Sequence, residues 1–146
     1  MNKLILSIAI TAAVATSLPA QARDTKLMLP LAAAMSANDA QTRLGDSVKF
    51  YFGKQKTPAI ATRLGVDKTS QKTNSFGKSA DTACNWAFLS AMLRLQQRAK
   101  ELGADAVVNI VSNYKNEEMS SETDFECHDG AMMSGVALKG EFVKLK

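Results

Sequence analysis

Two cysteines, Cys84 and Cys127, follow a secretory leader, and that pairing constrains the chain more than any other feature. The leader is Met1 to Ala22. It has one positive charge, Lys3, then an apolar run from Leu4 to Leu18. Its end, Pro19-Ala20-Gln21-Ala22, is an A-x-A cleavage site, so the mature chain is expected to begin at Arg23. The apolar run is too short and too lightly flanked for a membrane span, and no cysteine follows it to take a lipid. The expected compartment is the periplasm. An exported thiol pair defaults to a disulfide.

The chain has 146 residues, of which 124 remain after the leader is removed. That is one domain, residues 23–146, with a modest core. Loss of Lys3 leaves 17 basic against 14 acidic residues, a mature charge of +3. Such a mild excess does not argue for nucleic acid, and it leaves room for weak attraction to anionic lipid or polysaccharide. No second apolar run spans a bilayer, and there is no internal repeat.

The N-terminal segment, residues 23–46, carries an apolar run, Leu27 to Leu31, interrupted by Pro30. An alanine-rich stretch, Leu31 to Leu44, suits a short helix stopped by Gly45. Val48, Phe50 and Phe52 alternate with Lys49 and Tyr51, as in a half-buried strand ending at Gly53. Ile60 to Val66 reads as a second strand, and polar Asp67 to Lys78 as an exposed strand or a loop. The best-determined element is a helix from about Asp81, its expected N-cap, to Leu102, with Gly103 as the stop. Phe88, Met92, Leu95, Ala99 and Leu102 recur in steps of four and three, which puts them on one stripe. Cys84 lies one turn before Phe88 on that stripe.

Strands follow. Ala106, Val108 and Ile110 share one face, and Val107, Asn109 and Val111 the other; both faces are largely apolar, as in a central strand. In Glu122 to His128, Thr123, Phe125 and Cys127 share the buried face, and Glu122, Asp124, Glu126 and His128 the exposed one. Val136, Leu138 and Phe142 mark the last strand, with a bulge expected at Gly140. The expected fold is α+β: a mainly antiparallel sheet with one long helix on one face and a single disulfide. A Cys84–Cys127 bridge closes a loop of about 44 residues, worth on the order of 4 kcal/mol if entropic. A redox-active or metal-binding thiol is the other reading, although the spacing is not C-x-x-C.

Candidate chemistry is sparse. Glu126-Cys127-His128-Asp129 gathers ligand types, but strand alternation sends Cys127 and His128 to opposite faces. Glu122, Asp124 and Glu126 offer a hard cation one face, but solvation of an outer strand is the better explanation of them. His128 is the one histidine, lacks a nucleophile motif beside it, and reads as a surface residue. Gly77-Lys78-Ser79 matches the tail of a phosphate loop, yet Lys72 stands where the first glycine belongs, so nucleotide hydrolysis is not expected. Trp86, Leu89 and Leu93 form a second apolar helix face, to be covered by the Leu31–Leu44 stretch or by a partner.

Several strings resemble a family of small exported proteobacterial proteins: Ser47 to Gly53, Lys72 to Lys78, Cys84 to Ala91, Leu102 to Ser112, Ser121-Glu122-Thr123 and Glu126-Cys127-His128. These proteins often carry the label "excinuclease ATPase subunit". The chain lacks the complete phosphate loop, the zinc cysteines and the size that such a label requires. Cys84 to Leu145 is also similar to the C-terminal domain of the outer-membrane lipoprotein that senses stress for the Rcs phosphorelay. The shared marks are Cys84 at a helix start, Leu102-Gly103-Ala104-Asp105-Ala106-Val107-Val108, and Cys127 eight residues before Gly135. That resemblance implies a Cys84–Cys127 disulfide joining helix to strand. That family's lipidated cysteine and second cysteine pair have no counterpart here. A broader similarity is to small α/β domains labelled as heavy-metal binding, without a thiolate cluster to match.

The expectation is a soluble periplasmic protein without catalytic residues or cofactor, acting through protein–protein or cell-envelope contacts. Its partner is an unknown protein or a second copy. It is not expected to bind nucleic acid. The alternative is a metal- or redox-responsive binder using Cys127, His128 and the acidic strand face.

Overall fold

A computed structural model describes residues 22–146; the leader reading falls outside the described residues. The chain runs β1 (Asp24–Pro30), α1 (Leu31–Ser36), α2 (Ala40–Leu44), β2 (Lys49–Phe52), β3 (Ile60–Asn74), α3 (Ala80–Leu102), β4 (Ala106–Tyr114), β5 (Glu117–Met119), β6 (Asp124–Gly130) and β7 (Met133–Leu145). The expected α+β class holds: seven strands form one sheet, and α3 lies across one face.

The spine of the sheet is β7. Along one edge it pairs antiparallel with β3 from Leu145 to Met133. Its other edge is shared, β6 taking Ser134 and Gly135 and β4 taking Leu138 to Val143. Strand β1 extends the β6 side and β2 the β4 side. The β2–β4 pair is parallel, and every other pair is antiparallel. Lys115 and Asn116 both take positive φ, as a two-residue turn between β4 and β5 requires.

Helix α3 buries the expected stripe. Phe88, Met92, Leu95 and Ala99 are inaccessible or nearly so, and they pack with Phe125, Val136, Leu138 and Phe142. The rings of Phe88 and Phe125 stand 4.5 Å apart. Gly103 closes the helix in the left-handed conformation, as expected. The N-cap is Ser79 rather than Asp81: the Ser79 hydroxyl accepts from the Thr82 amide at 3.2 Å, and Asp81 sits in the first turn.

Two local expectations change, and one open reading closes. The Leu31–Leu44 stretch is two short helices, because Asn38 and Asp39 adopt positive φ and break it. The polar stretch after Asp67 is strand as far as Asn74, continuous with Ile60–Val66. The bulge expected at Gly140 lies in the opposite strand: Asn109, with φ 48°, shifts the register of β4 between Val108 and Val111. Beyond the shift the side-chain phase reverses. Val107 and Ile110 both reach the core under α3, while Ala106 and Val108 pack with Val143 in a smaller cluster. Gly140 faces that bulge, and a Cβ there would come within 2.5 Å of Val107 Cγ1.

Candidate functional site

Cys84 and Cys127 are joined, with their Cα atoms 5.9 Å apart. Both are fully buried, one in the first turns of α3 and the other on the inner face of β6 beside Phe125. The inward direction of each sulfur follows from the two periodicities, 3.6 on the helix and 2 on the strand. No thiol is left free among the described residues.

The outer face of β6 holds the densest polar cluster. His128 lies between two carboxylates: Nδ1 is 2.7 Å from Asp24 Oδ1, and Nε2 is 2.6 Å from Glu126 Oε1. The ring of Tyr114 stacks on it at 3.3 Å between centroids, and its hydroxyl donates to Asp24 Oδ2 at 2.9 Å. Lys26 Nζ approaches Glu126 at 3.5 Å, and Lys115 Nζ approaches Asp24 at 4.0 Å. With both ring protons present, His128 donates two charge-assisted hydrogen bonds. With one proton, a ring lone pair faces a carboxylate.

This geometry corrects the reading of His128 as a surface residue. Its side chain is 12% exposed and that of Glu126 is 7% exposed. The covering groups come from β1 and from the end of β4, both distant in sequence. The three acids expected on one exposed face also separate. Glu126 is buried against His128, Asp124 accepts from the Thr123 hydroxyl, and Glu122 is exposed with its carbonyl bound by Gln55.

The cluster shifts two of its members. The hydrogen bond from His128, then that from Tyr114, hold the Asp24 carboxyl below its ordinary value of 3.8. The same bond to Asp24, with some burial, holds the Tyr114 phenol above its ordinary value of 10.0. Chemically the arrangement is a closed set of contacts. Each imidazole nitrogen faces a carboxylate oxygen. Asp24 and Glu126 lie at opposite nitrogens of one ring and do not converge on a point. Among the described residues no three His, Cys, Asp or Glu side chains are grouped to hold a metal ion.

Beside it, Asp129 is buried, accepts from the Ser134 hydroxyl at 2.6 Å and pairs with Arg23 at 2.5 Å. Together with the His128 contacts, this ties both ends of the Arg23–Lys26 segment to β6.

The second apolar face of α3 meets α1 and α2. Leu89 is buried, and Trp86 and Leu93 are half-buried against the core. The Arg43 guanidinium lies 5.6 Å over the Trp86 ring. A groove of about 500 Å³ opens between α1 and β2, lined by Leu31, Met35, Val48, Phe50 and Phe52. Gly77-Lys78-Ser79 forms the loop into α3, where Ser79 serves as the cap.

No family model, curated protein or solved structure matches this chain.

Proposed function

We propose that this is an exported, non-catalytic protein of the bacterial envelope that acts by contact with other envelope components. One observation carries the reading: a disulfide whose two sulfurs are buried in the main core under α3. Disulfides persist in oxidising compartments, and the Met1–Ala22 leader supplies the route to one. The geometry of His128 supports the non-catalytic half, because the one histidine has both nitrogens engaged. The proposed likeness of Cys84–Leu145 to the Rcs-sensing domain points to the same kind of role. Among the described residues no helix is long and apolar enough to cross a membrane.

The metal- or redox-responsive alternative asks for a free Cys127 thiol, and that sulfur is bonded to Cys84. Fractionation of cells expressing the whole chain tests the main reading. Recovery in the periplasmic or envelope fraction, with the N-terminus at Arg23, is expected. Recovery of the unprocessed chain in the cytosol contradicts it.

A further inference from the structure

The exposed large apolar side chains of this protein are not scattered. Of the five among the described residues, Phe76 (77% exposed), Met132 (69%) and Met133 (46%) lie in two adjoining segments at one end of the sheet. Phe76 belongs to the loop between β3 and α3, Met132 to the turn between β6 and β7, and Met133 to the first position of β7. The two loops are fastened together. The Ser75 amide donates to the Met132 carbonyl at 2.9 Å, the Ser75 hydroxyl donates to the Gly130 carbonyl at 3.2 Å, and Asn74 pairs with Met133. The Asn74 side chain accepts from the Phe76 amide at 2.8 Å and Gly77 takes φ 72°, so the turn that presents Phe76 is built in.

The tip segments themselves carry positive charge only, and the Asp24 carboxylate, opposite Gly130, is engaged by His128 and Tyr114. Residues 75–79 and 130–133 contain no carboxylate. Lys78 Nζ rests on the Asn74 carbonyl at 3.0 Å, within the tip itself. Lys72 lies opposite Gly135, two residues before Asn74, and forms no ion pair among the described residues. The adjoining Asp129 is buried and already neutralised by Arg23. The nearest acid downstream is Asp81 in the first turn of α3.

The three side chains expose on the order of 400 Å². That is about half of what one partner contributes to a standard protein interface, roughly 800 Å². A bilayer surface needs no such area: a few apolar groups in the headgroup boundary and neighbouring lysines on lipid phosphates suffice for reversible binding. We propose that the Phe76–Met132–Met133 tip docks this protein on an anionic bilayer surface, with Lys72 and Lys78 meeting the phosphates. The proposal rests on the envelope reading above and names the component contacted.

Sedimentation with lipid vesicles tests it, using the processed protein purified from cells. Vesicles of phosphatidylcholine alone are compared with vesicles containing phosphatidylglycerol. The protein is expected to pellet with the anionic vesicles and to release as salt approaches about 1 M, where the Debye length is about 3 Å. A Phe76→Ser/Met132→Ser/Met133→Ser variant is expected to bind about tenfold more weakly or worse, and Lys72→Glu/Lys78→Glu to lose the preference for anionic lipid. All five positions are exposed, and circular dichroism confirms folding of each variant. Protein left in the supernatant with anionic vesicles, or a triple variant that binds like the parent, overturns the proposal. A dimer in light scattering that the triple variant abolishes, without vesicle binding, assigns the tip to a protein contact. That result overturns lipid docking and leaves the envelope reading in place, whereas cytosolic recovery in the fractionation removes the envelope reading.

Discussion

Asp24 and His128 stand 104 residues apart in the chain and 2.7 Å apart in the fold. Their contact joins an edge strand to the strand that carries the disulfide. It also makes the edge sensitive to protons. The folded-state carboxyl of Asp24 is depressed, so its contribution to stability is present above 3.8 and is lost as pH falls through the lower folded value. Asp24→Asn is therefore expected to weaken the fold at neutral pH and to flatten the acid limb of the stability curve. Urea midpoints measured across the acid range check this; a parallel loss in parent and variant contradicts it.

Tyr114 gives the opposite sign. Its folded phenol is raised, so the stabilisation is present below 10.0 and is lost as pH rises through the folded value. Ultraviolet titration is expected to place the Tyr114 midpoint above 10.0. In Asp24→Asn the Tyr114 midpoint should move back toward 10.0, because the largest cause of the shift is removed.

Gly140 is needed for close approach rather than for flexibility. Adding its Cβ puts a carbon 2.5 Å from Val107 Cγ1, on a stiff β-branched side chain with no exposure. Gly140→Ala is expected to cost about 1–3 kcal/mol by overpacking. Combining it with Val107→Ala should cost less than the two single changes added together, since the second removes the atom struck. Additive losses in urea unfolding contradict this account of the bulge.

Gln96 is a buried polar residue on an otherwise apolar helix face. Its amide donates to the Leu44 carbonyl and so fastens the end of α2 to α3. Gln96→Leu keeps the volume and leaves that carbonyl unpaired, for a loss of about 1–3 kcal/mol. Amide hydrogen exchange should show the loss concentrated in α1 and α2, while α3 keeps its protection.

The legible parts of this fold were those set by local periodicity. The Phe88–Met92–Leu95–Ala99 stripe, its stop at Gly103 and the inward faces of Cys84 and Cys127 each depend on neighbours within a turn or a pleat. Three features depend on partners elsewhere. Asp67 to Asn74 reads equally as exposed strand or loop because every residue in it is polar, and its pairing with Met133–Gly140 of β7 decides for strand. The parallel β2–β4 pairing leaves no mark in either strand, and the Asn109 bulge reverses a phase that alternation alone carries straight through. The His128 cluster was hidden for the same reason. Glu126 and His128 alternate as an exposed face does, and only β1 and Tyr114 make that face an interior. The pairing of a lone histidine with an acidic i−2 neighbour on a strand was the available signal, and it fits a solvated edge equally well.

Intact mass after thiol blocking, without reductant, tests the central claim most directly. Protein from the exported fraction is expected to carry no added label and to weigh two hydrogens less than the reduced chain beginning at Arg23. Reduction should then cost on the order of 4 kcal/mol of stability, since the bridge spans 43 residues. Two labels on the exported protein would mean free cysteines in an oxidising compartment, and the stapled, contact-making protein described above would give way to a thiol-based binder.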